Sequence, residues 1–364
     1  MGLKSFTARL SQPQNLRSAY LTFWVVLVVW SYIKGFNPGV QGWGKYFWLI
    51  DYSEGLIKRG FLGTFIRTLG YTTKNMGWER LETLVLMLHT LTAFLMLALL
   101  IKIQQRFFLD RGNFQVRQAS VLLSACWLIF ACTQFWPTLA YNSGYADIYL
   151  LSAYIYCFYL FSRGQYIGGA IVGCIAVLIH EAFVFLWLNI LAIFILVPFL
   201  ESRQVNRRIL ALSLFPFLTT VLLLLLHDQA AVISEINSIP KRIIDQEMKA
   251  ILINAQFGQT IHSAMQAMLG LWSTNMTRGL AALGYYTFPA ILMILSIPLL
   301  LENHRDRMVK VLLIVLVASY LPLSILLIAW DLSRFLVWAN LTTVLTLTYL
   351  STRILNPSDV KESV

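Results

Sequence analysis

Few residues in this 364-residue chain can do chemistry, because only 12% of it is charged. Four places bring ionisable groups against apolar sequence. Asp51 directly follows the apolar run Tyr46–Ile50, Glu54 stands three residues on, and Lys58 and Arg59 come seven and eight residues after Asp51. A partly desolvated carboxylate is expected to rise in pKa toward a value useful to a general base, and two adjacent cations suit an anionic headgroup. The stretch WPTLAYNSGYAD, Trp136–Asp147, sets Tyr141, Asn142, Tyr145 and Asp147 around a glycine, a set of donors, acceptors and stacking faces suited to sugar hydroxyls. His180-Glu181 interrupts long apolar runs on both sides. Adjacent residues on a helix point about 100° apart, and HExxH is absent because position 184 is Val, so the pair reads as titratable rather than as a zinc site. Asp331 and Arg334, three apart in WDLSR, pair with each other if the turn is helical, or else Arg334 grips a phosphate that Asp331 orients. Each place also has a plain structural reading: an interfacial anchor, ordinary turn chemistry, or an ion pair that only holds the fold. Asp51, Glu54, Asp147 and Glu181 form a hard-oxygen set open to a divalent metal, but no spacing fixes one. Walker and dinucleotide-binding motifs and zinc spacing are missing, so no cofactor is assigned.

The elements that position these residues follow from composition. The chain is 58% hydrophobic with a mean hydropathy of +0.68. Soluble domains carry about 25% charged residues, so a soluble enzyme, a disordered chain and a disulfide scaffold are excluded. The expected class is an all-α polytopic membrane protein, a single transmembrane domain over 1–364. Apolar runs of spanning character fall at Ala19–Gly35, Leu81–Ile101, Ala119–Trp136, Ala146–Phe161, Gln165–Ile179, Ala182–Leu200, Ile209–Leu226, Leu280–Leu301, Val311–Trp330 and Phe335–Leu350, which makes ten helices. His180-Glu181 splits the fifth from the sixth; a nine-helix count merges them. The basic N-terminus precedes an apolar run without a small-residue cleavage site, so an uncleaved first span is expected.

The net charge of +11 is better explained by orientation than by nucleic acid. With both termini cytoplasmic, 16 of the 28 Lys and Arg fall in inner segments, and the short outer connections hold only Arg334. Eleven of the 17 acids then lie at the outer face, where any chemistry is expected. The outer loop 36–80 contains Phe61, Leu62, Phe65, Ile66 and Leu69 at helical spacing, with Lys58 and Arg67 opposite, a pattern for an interfacial helix. The outer loop 227–279 carries Ile243, Ile244, Met248, Ile251 and Leu252 on one face of one or two amphipathic helices, a candidate lid. Gly164, Gly168, Gly169 and Gly173 suggest close helix packing, His89 a satisfied core histidine, and the four cysteines buried small hydrophobes. Apart from His89 the helix centres carry almost no polar groups, which disfavours a transport path.

An acid at the first outer loop, interfacial helices and about ten spans resemble the GT-C glycosyltransferase superfamily. The arrangement DYSEGLIKRG … HE … DLSR also looks like polytopic proteins of bacterial envelope-polysaccharide loci, polymerases among them. The resemblance implies an inner-membrane enzyme that takes sugars from polyprenyl phosphate on the periplasmic face, as in O-antigen assembly. On it, Asp51 matches the catalytic acid, with Glu54, His180 and Glu181 beside it, and Lys58, Arg59 and Arg334 contact the carrier phosphate. It differs in lacking a DD or DxD pair in the first loop and a large soluble outer domain. Expected partners are the bilayer, the lipid-linked sugar and other polysaccharide-assembly subunits, with no nucleic acid. The rival classes are a transporter or flippase for an amphipathic anion, and a structural subunit of an export complex.

Overall fold

The computed structural model describes residues 13–40, 42–53, 59–71, 77–106, 127, 130, 134–202, 206–257, 291, 294–295, 305–321 and 332–355. Among the described residues every regular element is a helix, in agreement with an all-α class. In chain order they are α1 Pro13–Gly35, α2 Gly42–Leu49, α3 Phe61–Thr68, α4 Trp78–Gln104, α5 Phe135–Tyr141, α6 Asp147–Ser162, α7 Tyr166–Ile179 and α8 Phe183–Leu191. A π-helical turn, Ala192–Leu196, joins α8 to α9 Val197–Ser202; α10 Arg207–Leu226, α11 Gln229–Ser238, α12 Gln246–Phe257, α13 Arg305–Tyr320 and α14 Leu332–Leu355 follow. The expected runs 280–301 and 119–136 lie mostly outside the described residues.

α4 and α10, at 27 and 20 residues, are long and apolar enough to cross a membrane. Shorter apolar helices cover Leu21–Gly35, Asp147–Ser162, Tyr166–Ile179 and Phe183–Phe199. Their outer surfaces are greasy: Trp30 and Ile33 on α1, Met87 and Phe94 on α4, and Leu214, Leu218 and Leu225 on α10 are all exposed. Exposed apolar faces of this kind suit a hydrocarbon surrounding. Asn206 starts α10 by accepting hydrogen bonds from the N–H groups of Arg208 and Ile209, as an N-cap does.

The core is layered. α7 packs on α6 and α10, α4 on α6, α1 on α5, and α13 on α14. Gly173 allows a close crossing, since a Cβ there would stand 2.9 Å from Trp187 and 3.0 Å from Pro216. The centre of the bundle is more polar than the sequence suggests. Asn189, on α8, donates from Nδ2 to the Ala318 carbonyl and to Thr346 Oγ1, and accepts from the Tyr154 hydroxyl. Position 322 is proline, which has no N–H, so Ala318 loses the helical donor it would otherwise have four residues on. Asn189 supplies the missing bond.

The two ends differ. At one, Lys102 lies 5.3 Å from the centre of the Tyr159 ring, and Arg163 donates to the Tyr159 hydroxyl. At the other, the start of α6, the end of α7 and the starts of α8 and α14 come together. α11 and α12 pack at that end too, burying Val232, Ile236, Ile243, Ile244 and Leu252 against Tyr46 and Ile50. Two helices occupy this stretch, but Ile243 and Ile244 lie before α12, Ile251 is exposed, and the first helix begins before Pro240.

Candidate functional site

The site is built on the turn between α2 and α3. Gly63 lies flat against residue 50, where a Cβ would come within 2.0 Å of the Ile50 carbonyl oxygen, and one on Gly60 would strike the Tyr52 ring at 2.7 Å. This contact lets the Tyr52 N–H reach Thr64 Oγ1 at 2.8 Å, while that hydroxyl donates back to the Gly60 carbonyl. Of the α3 residues expected on one apolar face, Leu62 and Ile66 are buried, whereas Phe65 and the following Leu69 are exposed. Just before α3, Arg59 takes φ 66°, the left-handed region that costs a side-chain-bearing residue energy. That conformation sends its guanidinium away from α3 and toward the break between α7 and α8.

There it meets Glu181. His180 leaves α7 in an extended conformation, which ends the helix and turns both side chains inward. Arg59 grips Glu181 with Nη2 at 2.7 Å from Oε1 and Nε at 3.2 and 3.3 Å from the two carboxylate oxygens. Burial disfavours the charged carboxylate, but the Arg59 guanidinium outweighs it and holds Glu181 well below the usual carboxylate range. His180 Nδ1 lies 3.2 Å from Glu181 Oε2 and accepts the Ala182 N–H at 3.1 Å. Only the lone pair of a neutral ring can take that N–H, so the ring proton sits on Nε2. Burial and the Arg59 charge push the His180 pKa down, against the pull of Glu181, which agrees with a neutral ring. The contact with Glu181 is therefore not a salt bridge at neutral pH.

A second clamped arginine stands beside the first. Arg334, in the first turn of α14, holds Asp147 with Nη2 and Nε both at 2.6 Å from Oδ2, and Trp338 Nε1 donates to Oδ1 at 3.1 Å. Asp147 is only 3% exposed and begins α6, where the positive end of the helix dipole favours it. The Arg334 guanidinium stacks 4.6 Å above the centre of the Tyr145 ring, and Arg59 lies 5.9 Å from that of Phe47. Phe47 in turn packs against both Tyr145 and His180. The charges of the two arginines oppose each other, so they occupy one electrostatic site. Gly144, at φ 90°, shapes the adjoining turn: it approaches Val40 too closely for a Cβ, and its carbonyl accepts from Trp48 Nε1 at 2.8 Å.

The structure thus joins Arg59, His180, Glu181, Tyr145, Asp147 and Arg334. Tyr141 is exposed, and Asn142 caps α5 through its backbone. Asp51 pairs with Arg67 rather than with Arg59 or Arg334, and its pKa moves against the rise expected from the sequence. Its carboxylate accepts the Ser53 N–H at 2.7 Å and Arg67 Nη1 at 2.9 and 3.0 Å. Burial alone would raise its pKa, but these hydrogen bonds and the Arg67 charge lower it instead, so it is not tuned as a base. Glu235 on α11, which sequence reasoning passed over, accepts from the Asp51 N–H at 3.0 Å and the Ser53 hydroxyl at 3.2 Å. Glu54, Lys58 and Asp331 lie outside the described residues. Arg334 is held by Asp147, 187 residues away, a partner the sequence did not suggest. Among the described residues no three His, Cys, Asp or Glu side chains come together as a metal site. Asp51, Asp147 and Glu181 each face an arginine instead.

No family model, curated protein or solved structure matches the chain.

Proposed function

We propose that this is a multi-pass membrane glycosyltransferase or polysaccharide polymerase, acting on polyprenyl-phosphate-linked sugars at the outer face of a bacterial inner membrane. The reading takes the ten-span topology with both termini in the cytoplasm. One observation carries it: two arginines, each held by a carboxylate and backed by an aromatic ring, meet at the end of the bundle opposite Lys102 and Arg163. Guanidinium groups recognise phosphate oxygens in the same forked geometry as carboxylates. A carrier phosphate can therefore exchange with Glu181 and Asp147 for the two arginines.

The exchange makes a base. Glu181 is held acidic by Arg59 against the opposing effect of burial. When Arg59 turns to the phosphate, burial dominates and Glu181 gains affinity for a proton. It then takes the proton of the acceptor hydroxyl as that oxygen bonds to the anomeric carbon. The bond from that carbon to the phosphate oxygen breaks, and the electron pair leaves on the carrier phosphate, stabilised by Arg59 and Arg334. The His180 Nε2–H donates to a sugar or phosphate oxygen, and Tyr145 and Phe47 offer faces for the sugar ring. Asp51 has a positioning role: it ties α3 through Arg67 to the turn that carries Arg59.

A flippase would need a polar path between the ends. Asn189 of α8 and Thr342 and Thr346 of α14 bond instead to carbonyls and to one another, which favours the enzyme. Lipid mass spectrometry of the purified protein tests the class. A polyprenyl phosphate retained by the wild type and lost in Arg59→Ala/Arg334→Ala is expected; retention unchanged in the double variant removes the phosphate role.

A further inference from the structure

Lys102 and Arg163 lie at the end of the bundle that the proposed reaction does not use. Lys102 stands in the last turn of α4 and Arg163 caps the C-terminus of α6, and both are exposed. One buried side chain, Tyr159, gathers them. Its ring centre is 5.3 Å from Lys102 Nζ and 5.7 Å from Arg163 Cζ, and its hydroxyl accepts from Arg163 Nη1 at 2.9 Å. A neutral phenol holds these cations without cancelling their charge. Among the described residues neither meets a carboxylate, whereas Arg59, Arg67 and Arg334 each do. The C-termini of α4 and α6 offer only roughly half a negative charge each, which leaves about one positive charge.

We propose that Lys102 and Arg163 form a site for the phosphodiester of an anionic glycerophospholipid, whose acyl chain lies along α4. The single negative charge of a phosphodiester matches the charge left over. Both cations are exposed, so the ammonium and the remaining guanidinium N–H groups can reach its oxygens. The apolar surface beside them selects a lipid over a soluble phosphate. Leu91, Leu95 and Ala98 are exposed, and their spacing puts them on the face of α4 that ends in Lys102. From Leu91 to Lys102 the helix rises about 16 Å, half of the hydrocarbon core and so the depth of one leaflet. Tyr156 is exposed and nearly parallel to Tyr159, with 6.5 Å between ring centres, and Tyr gathers at the interfacial level where headgroups begin. The proposal rests on the membrane setting of the proposed function and not on its chemistry.

The test uses the full chain in detergent, stripped of lipid and melted with added phosphatidylglycerol or phosphatidylcholine of the same chains, whose choline cancels the phosphate charge. Phosphatidylglycerol should stabilise the wild type at a roughly tenfold lower concentration, as expected when charge-assisted hydrogen bonds go to a net anion. Lys102→Gln/Arg163→Gln removes both charges at exposed positions and should erase that preference while still melting cooperatively; Lys102→Gln alone should reduce it. Arg207→Gln/Arg208→Gln, which removes two exposed cations from the start of α10, should leave it unchanged. Native mass spectrometry should find phosphatidylglycerol retained by the wild type and lost from the Lys102→Gln/Arg163→Gln protein. Equal potency of the two lipids on the wild type would overturn the site. So would a preference that survives Lys102→Gln/Arg163→Gln, or one that Arg207→Gln/Arg208→Gln erases as fully. Glycerophosphoglycerol, the headgroup without chains, should not protect at the same concentrations; protection equal to the lipid's would make the occupant a soluble phosphate and overturn the lipid assignment. Sugar transfer without the lipid preference would sink this proposal alone, and the preference without transfer would leave it standing.

Discussion

Arg59 and Glu181 stabilise the molecule only as a pair, and the sign of what happens when one is removed can be worked out. Arg59→Ala leaves the effect of burial on Glu181 unopposed, so its folded-state pKa moves from below the unfolded value to above it. In the wild type the stability from Glu181 is fully present above the ordinary carboxylate pKa of about 4.3 and is lost only as pH falls through the depressed folded value. In the variant the sign reverses: stability is greatest below the unfolded pKa and declines as pH rises through the raised one. Melting curves should therefore show Arg59→Ala destabilised by about 2–3 kcal/mol at pH 8, less than for a fully buried pair because the groups are partly exposed, with the deficit shrinking toward pH 5. A pH-independent deficit would mean that Arg59 acts through packing alone. Asp51→Asn makes a contrast. Asn keeps an acceptor for the Ser53 N–H but weakens the hold on Arg67, whose side chain is half exposed. We expect a loss of about 1 kcal/mol in stability and turnover within a few-fold of wild type; a loss of 10²-fold or more would restore Asp51 as the base.

At the scale of elements, local pattern was readable and distant pairing was not. The interruption at His180-Glu181 and the extents of α6, α7 and α10 follow from periodicity, because apolar spacing is set within a helix, whereas Phe65, Leu69 and Ile251 of the expected amphipathic faces are exposed. The ion pairs Arg59–Glu181 and Arg334–Asp147 span 122 and 187 residues. Nothing local selects such partners, so the sequence favoured Asp331, three residues away, for Arg334. Gly60 and Gly63 did carry a signal: two small residues at helical spacing after an arginine mark a helix that lies against backbone. The polar contact at α13 was legible only from Pro322 inside an apolar run. It yields a prediction. Asn189→Ala should cost about 1–3 kcal/mol by orphaning the Ala318 carbonyl, and Pro322→Ala, which returns an N–H, should recover part of that loss in a double-mutant cycle. Additive effects would show that Asn189 and Pro322 act independently.

For the whole molecule, composition pointed to a helical membrane body; the described residues are all helical in their regular elements, and α4 and α10 are long and apolar enough to cross a membrane. The orientation depends on charge asymmetry, which cysteine labelling from either side can check. Arg203→Cys and Arg305→Cys should react from the cytoplasm, and Gln246→Cys and Ser333→Cys from the outside, with an impermeant reagent. Labelling of Ser333→Cys from the cytoplasm alone would place both clamped arginines on the wrong face for a periplasmic reaction.

The central claim is that the carrier phosphate takes Arg59 and Arg334 and thereby turns Glu181 into the base. Transfer by protein reconstituted in liposomes with a polyprenyl-phosphate-linked sugar tests it most directly, measured as kcat and KM for Glu181→Gln beside the wild type. Gln keeps the shape and one acceptor oxygen but cannot hold the proton, so kcat should fall by about 10²–10⁴ while KM for the carrier stays the same or falls, since Arg59 no longer has a competing anion. Wild-type kcat in Glu181→Gln would contradict the account.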